Sequence, residues 1–112
     1  MRKLASVLMS LIRLNEAEEL SREALNIAKA NLLPYHPEIR NSMNILASVL
    51  KRLDRLKEAE VIFREALNFS QVNLIPSHPH IGNAMNNLAS VLKSLNRLKE
   101  SEVLFRESLN FS

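Results

Sequence analysis

Between residues 37 and 53 the apolar positions Ile39, Met43, Leu46, Leu50 and Leu53 fall at spacings of four, three, four and three. That is one stripe of a helix with 3.6 residues per turn. Ala47 borders the stripe and allows a neighbouring helix to approach closely. His36-Pro37 opens this helix, since proline is tolerated at the first helical position, where its missing donor would be unpaired anyway. A second helix is predicted from about Leu56 to Asn73, with Leu56, Ala59, Ile62, Phe63, Ala66, Leu67 and Val72 on its buried side. Asp54 lies between the two, where a residue that accepts a capping or left-handed conformation is useful. Pro76 and Pro79 stop the second helix and set up the next.

The same pattern recurs 42 residues away in both directions. Leu46-Ala47-Ser48-Val49-Leu50 is repeated at Leu4–Leu8 and at Leu88–Leu92. Arg64-Glu65-Ala66-Leu67-Asn68 is repeated at Arg22–Asn26, with Arg106-Glu107-Ser108-Leu109-Asn110 a variant. His36-Pro37 returns at His78-Pro79. The chain therefore divides into a truncated first copy (1–35), a second (36–77) and a third (78–112) without a capping helix. The third is read as a helix near 79–95, Asn96 in the turn, and a helix from about 98 onward. The first begins inside its opening helix and has Ile12 where the others have Asp54 and Asn96, so its hairpin is expected to depart from theirs. Six helices in antiparallel pairs are expected, an all-α solenoid in which neighbouring units complete each other's core.

The order Leu46-Ala47, Leu50, Ala59, Phe63, Ala66 resembles the tetratricopeptide signature of Leu-Gly, Tyr, Ala, Phe and Ala at matching intervals. The 42-residue period, Asn86-Asn87-Leu88-Ala89, Glu58-Ala59-Glu60 and the His-Pro opener look more specifically like the kinesin-light-chain type. The resemblance covers the whole chain. It departs where Asp54 or Asn96 replaces the usual turn glycine, Leu50 or Leu92 the usual Tyr, and Pro34 or Pro76 the glycine before the opener. The resemblance implies a right-handed array of helix pairs whose first helices line a concave groove. It also implies that Asn side chains there hold peptide backbones, a role that would fall to Asn44, Asn86 and Asn87.

The helical wheel points to the same face. Opposite the Ile39–Leu53 stripe lie Asn41, Asn44, Ser48 and Lys51, flanked by Arg40 and Arg52. The third copy offers Asn83, Asn86, Asn87, Ser90, Lys93 and Ser94; the first offers only Arg2, Ser6, Met9 and Ser10. Stacked, these rows form a polar, mildly basic floor. An Asn amide both donates and accepts, and Lys or Arg meets carboxylates, so the floor suits an extended, acidic peptide. The bland alternative is that every amphipathic helix has a solvated face.

Composition narrows the chemistry. The net charge of +3 leans toward acidic ligands without demanding nucleic acid. The basic clusters near the turns (Lys51, Arg52, Arg55, Lys57 and Lys93, Arg97, Lys99) lack the exposed aromatics that strand stacking wants. With no cysteine there is no thiolate metal site or Cys nucleophile, and a reducing, cytoplasmic setting fits. No metal or other cofactor is expected: His36 and His78 recur at the helix opener as caps, and no acidic cluster completes a ligand set with His80. Glu58 and Glu60 point to different helix faces rather than forming an acid–base pair, and surface pairs of Glu58 and Glu65 with Lys57 and Arg64 are expected. No Ser–His–acid group or phosphate loop can be built, and no apolar run approaches membrane-span length.

The expected function is thus a non-catalytic protein-interaction scaffold. The sites are Asn41, Asn44, Ser48, Lys51, Arg52, Asn83, Asn86, Asn87, Ser90 and Lys93. The last copy should leave Phe105, Leu109 and Phe111 without neighbours, so copies are expected to pack through their end helices. The alternative is a structural module that only self-stacks, an excised or designed segment of an array with no ligand of its own.

Overall fold

The computed structural model describes residues 2–31, 36–74 and 78–111. Pro76, expected to end a helix, and Pro34, at the place of the glycine before the opener, lie outside them, as do the side chains of residues 2–7 and of Phe111. Five α-helices follow in order: α1 (Arg2–Asn31), α2 (Pro37–Arg52), α3 (Leu56–Asn73), α4 (Pro79–Ser94) and α5 (Leu98–Ser108), which tightens into a 3₁₀ turn at Leu109–Phe111. Each packs on the next along the chain, filling an envelope of 50 × 38 × 21 Å. Among the described residues there is no strand.

The helix count corrects the expected six. The second and third copies turn at Asp54 (φ 62°) and Asn96 (φ 64°), both in the left-handed region. Around Asp54 the Arg55 N–H reaches the Leu50 carbonyl at 2.9 Å and the Asp54 N–H reaches that of Lys51 at 3.0 Å. The same pair of bonds recurs around Asn96. This double closure satisfies helix-terminal carbonyls, but only if the turn residue tolerates positive φ. At the equivalent position Ile12, a β-branched side chain would clash there, at a cost of about 1–2 kcal/mol. No turn forms, and α1 runs straight through for 30 residues.

The starts of α2 and α4 are fixed by their histidines. His36 Nδ1 accepts the Glu38 N–H, and His78 Nδ1 accepts the His80 N–H, each at 3.1 Å. These bonds satisfy a backbone donor that the first helical turn leaves unpaired.

The core is the predicted stripe. Ile39, Met43, Leu46, Ala47 and Leu50 from α2 are buried with Ala59, Phe63 and Ala66 from α3 and Leu88, Val91 and Leu92 from α4. Val72, expected on the buried side, is instead exposed near the end of α3. Comparing copies separates two faces on each second helix. On α5, which has no following helix among the described residues, Ser101 and Ser108 are buried but Phe105 and Leu109 are exposed. In α1, against which no earlier helix packs among the described residues, Ser21, Leu25 and Ala28 are buried while Leu20, Ala24 and Ile27 are exposed. In α3, flanked on both sides, the equivalents of both sets are at least half-buried.

Ion pairs stitch consecutive copies along the outside. Arg22 bonds Glu18 at 2.9 Å and Glu58 at 3.2 Å, while Arg55 bonds Glu58 at 2.6 Å and also Glu18. Forty-two residues on, Arg64 and Arg97 bridge Glu60 and Glu100 at 2.7–3.3 Å. The partners expected from sequence are thereby corrected: Glu58 meets Arg22 and Arg55 rather than Lys57, and Arg64 meets Glu60 and Glu100 rather than Glu65. Glu58 looks back to the first copy and Glu60 forward to the third, as two-residue spacing on a helix requires.

Candidate functional site

α2 and α4 lie across α3 and leave between them a concavity of about 450 Å³, lined by Ser48, Lys51, Arg52, Phe63, Asn87 and Ser90. The capped helices put Ser48, Lys51 and Arg52 within about one turn of α2, opposite Asn87 and Ser90 about one turn apart on α4. Lys51 Nζ donates to Ser90 Oγ across the gap, tying the two walls together. Phe63, buried on α3, closes the back and supplies an apolar base.

Five of the ten sequence-predicted residues thus meet in one place: Ser48, Lys51, Arg52, Asn87 and Ser90. The others do not. Asn86 and Lys93 line a separate depression with Leu98, Ser101, Phe105, Ser108 and Leu109, on the uncovered face of α5. Asn41 and Asn83 are exposed and line no described concavity. Asn44 is half-buried, and its Oδ1 is shut off from solvent with no hydrogen-bond partner. Its counterpart Asn86 accepts a bond from Ser108 Oγ at 2.7 Å. The α3 residue matching Ser108 is Ala66, which has no donor to give Asn44. Asn86 therefore faces the second helix of its own pair, and Asn44 holds the equivalent position in the second copy without lining the concavity between α2 and α4. Arg2 and Ser6, read as the first copy's share of that floor, have side chains outside the described set, while Met9 and Ser10 are exposed on α1.

Phe63 is the lining residue that sequence reasoning counted only as core. The signal was available, because a residue on the face between two copies borders any groove between them.

The electrostatics set this concavity apart from the outer seam. Every ion pair among the described residues uses Arg22, Arg55, Arg64, Arg97 or Arg106. Lys51, Arg52 and Lys93 enter none of them. Arg55 and Arg97, counted among the basic clusters, each bridge two glutamates, so their charge is largely spent within the fold. Glu18 is held below the usual carboxylate range by the Arg22 hydrogen bond, with Arg55 adding to it against the opposing effect of burial. At Glu60 burial pushes upward, but the hydrogen bonds of Arg64 and Arg97 prevail and the net shift is down.

The remaining titratable feature is the stacked pair His78–His80, with ring centroids 4.6 Å apart. Burial, then the charges of Arg40 and His78, lower the His80 pKa below the usual histidine value. Among the described residues no three His, Asp or Glu side chains gather as metal ligands. Nor, among them, is any helix long and apolar enough to cross a membrane.

Comparison with known proteins agrees with this architecture. The sequence pattern of the tetratricopeptide repeat family matches residues 1–71 and again 43–112. The chain belongs to the tetratricopeptide repeat family, whose fold serves protein–protein interaction and scaffolding. Its fold is similar to a crystal structure described as a Podosopora anserina putative kinesin light chain with nearly identical TPR-like repeats. The TM-score is 0.83 at 20% identity, over 97% of this chain and 52% of that one. A glutamine-to-methionine variant of that protein gives the same score and identity over 97% and 51%. The chain spans about half the length of both structures, and at this identity the likeness concerns the fold, which is of the kinesin-light-chain-like type. No curated protein matches the chain.

Proposed function

We propose that the chain is a non-catalytic scaffold that holds an extended, acidic peptide segment in the concavity between α2 and α4. The observation that carries this reading is the pairing of two cations, Lys51 and Arg52, with the amide of Asn87 and the hydroxyls of Ser48 and Ser90 around an apolar base. No carboxylate of the described residues bonds either cation. A carboxylate on the ligand would meet Lys51 and Arg52 by charge-assisted hydrogen bonds. The Asn87 amide can donate to and accept from a peptide backbone. Rigid helices hold these groups in place beforehand, which lowers the entropy cost of capture.

The ten-residue surface read from the sequence narrows accordingly to Ser48, Lys51, Arg52, Asn87 and Ser90, with Asn41 and Asn83 as controls. An unbiased peptide array at physiological salt should select acidic segments. The triple variant Lys51→Ala, Arg52→Ala, Asn87→Ala should abolish that selection while helicity is retained, and Asn41→Ala with Asn83→Ala should preserve it. Selection that ignores acidity, or that survives the triple variant, would sink the reading. Binding to nucleic acid that collapses steeply with salt would replace it with another.

A second reading, a module that stacks end to end with copies of itself, is favoured by one contrast. Phe63 is 3% exposed beneath α4, whereas its equivalent Phe105 is 38% exposed on α5. Under that reading, Phe105→Glu and Leu109→Glu together should lower the mass in sedimentation without touching peptide selection.

A further inference from the structure

Each second helix carries half of an ion clasp for the copy that follows. Glu18 and Arg22 on α1 meet Arg55 and Glu58 at the start of α3, and Glu60 and Arg64 on α3 meet Arg97 and Glu100 at the start of α5. The next pair of the series, Glu102 and Arg106 on α5, bonds only itself among the described residues. Glu60, inside a complete clasp, has 14% of its side chain exposed, against 60% for Glu102. The complementary half stands unused on α1. Arg13 and Glu16 hold the positions of Arg55 and Glu58, are exposed, and enter no ion pair among the described residues.

Apolar residues share the helix faces of both unused halves. On α1, Met9, Arg13, Glu16 and Leu20 follow at spacings of four, three and four; on α5, Leu98, Glu102, Phe105 and Leu109 do the same. Each set is therefore a single stripe of its helix. Met9, Leu20, Leu98, Phe105 and Leu109 are all exposed, whereas Leu56, Phe63 and Leu67, the α3 counterparts of the α5 set, belong to the core or pack against it. We propose that copies of the chain join head to tail, the α1 stripe of one lying parallel on the α5 stripe of another, with Arg13 on Glu102 and Glu16 on Arg106. That register is taken from the two complete clasps. It also sets Met9 on Leu98 and Leu20 on Leu109, four residues before and seven after the Arg13–Glu102 pair on each helix. Because α1 continues straight through Ile12, no folded-back first helix lies over its stripe, and the two faces can meet directly. The two faces differ, so the contact is heterologous and repeats from copy to copy. The proposal rests on the end-to-end reading above and names the surface of the second copy that α5 receives.

Sedimentation of the full chain from micromolar to millimolar concentration tests this. The wild-type mass should rise with concentration. Leu20→Glu blocks the α1 stripe and Leu109→Glu the α5 stripe, at positions that are already exposed, so the fold is kept. Each variant alone should be monomeric, and an equimolar mixture of the two should form dimers and nothing larger. Arg106→Glu and Glu16→Arg set like charges opposite each other and should each weaken association about tenfold; both in one chain should restore it. A monomeric wild type overturns this proposal together with the end-to-end reading. Association that survives Leu20→Glu assigns the contact to two α5 faces, and association that survives Leu109→Glu assigns it to two α1 faces; either overturns the head-to-tail pairing alone. So does a doubly reversed chain that stays as weak as the single variants.

Discussion

The unpartnered Asn44 carbonyl offers a measurable test of how the copies pack. In the third copy Ser108 Oγ donates to Asn86 Oδ1 at 2.7 Å; in the second, Ala66 leaves Asn44 Oδ1 buried with no donor. Ala66→Ser should restore the bond. A buried acceptor without a partner costs about 1–3 kcal/mol. Against this, serine in a helix interior loses roughly 0.5 kcal/mol relative to alanine, and the extra oxygen enters a site that is now fully buried. The net expectation is a gain of about 1 kcal/mol. With a urea dependence of about 2 kcal/mol per M, that moves the unfolding midpoint up by roughly 0.5 M. The reverse change, Ser108→Ala, should cost less, about 0.5 kcal/mol or below, because Asn86 is exposed and can turn to water. The decisive measurement is a double-mutant cycle with Asn44→Ala. In that background Ala66→Ser has no acceptor to satisfy and should become mildly destabilising, giving a coupling of about 1–2 kcal/mol. If Ala66→Ser lowers the midpoint, and by the same amount with or without Asn44, the account of the unpaired carbonyl is wrong.

Asp54→Ile should strain the left-handed turn of the second copy while the α2–α3 core holds it in place, costing about 2 kcal/mol in urea unfolding. Asn96→Gly, which keeps the turn and removes its Cβ, should be neutral or stabilising by up to about 1 kcal/mol in the same assay. For the ion-pair seam, the sign follows from the depressed carboxylates of Glu18 and Glu60. Their contribution is complete above the ordinary carboxylate pKa and is lost as pH falls through the lower folded values. Urea midpoints should therefore fall on acidification from about pH 5 into that range, and Glu18→Gln with Glu60→Gln should flatten the dependence.

What the sequence made legible was whatever lies within one helical hairpin. The Ile39–Leu50 stripe, the caps at His36 and His78 and the turns at Asp54 and Asn96 are local, set by spacings of a few residues. The fate of Ile12 was visible too, as a residue wrong for its turn, but counting helices by analogy with the other copies outweighed it. The local conformational cost at that one position decides between a hairpin and a 30-residue rod.

What escaped was the contact between copies, and the reason lies in the spacing. Searching for repetition finds likeness 42 residues apart, but the residues that touch across copies lie 36 to 39 apart and are complementary rather than alike. Arg22 meets Glu58 at a separation of 36, Arg97 meets Glu60 at 37 and Lys51 meets Ser90 at 39. The offset from the repeat period is the displacement that brings a side chain on one helix to its neighbour in the next copy. It differs for each pair of faces, so the period alone cannot supply it. The same offset divides the asparagines. Asn86 and Asn87 are adjacent in sequence, yet the first is bonded to α5 and the second lines the concavity with α2. A wheel drawn for one helix puts both on the polar side. Two neighbouring helices, approaching from different directions, take one asparagine for packing and leave the other on the wall of the concavity.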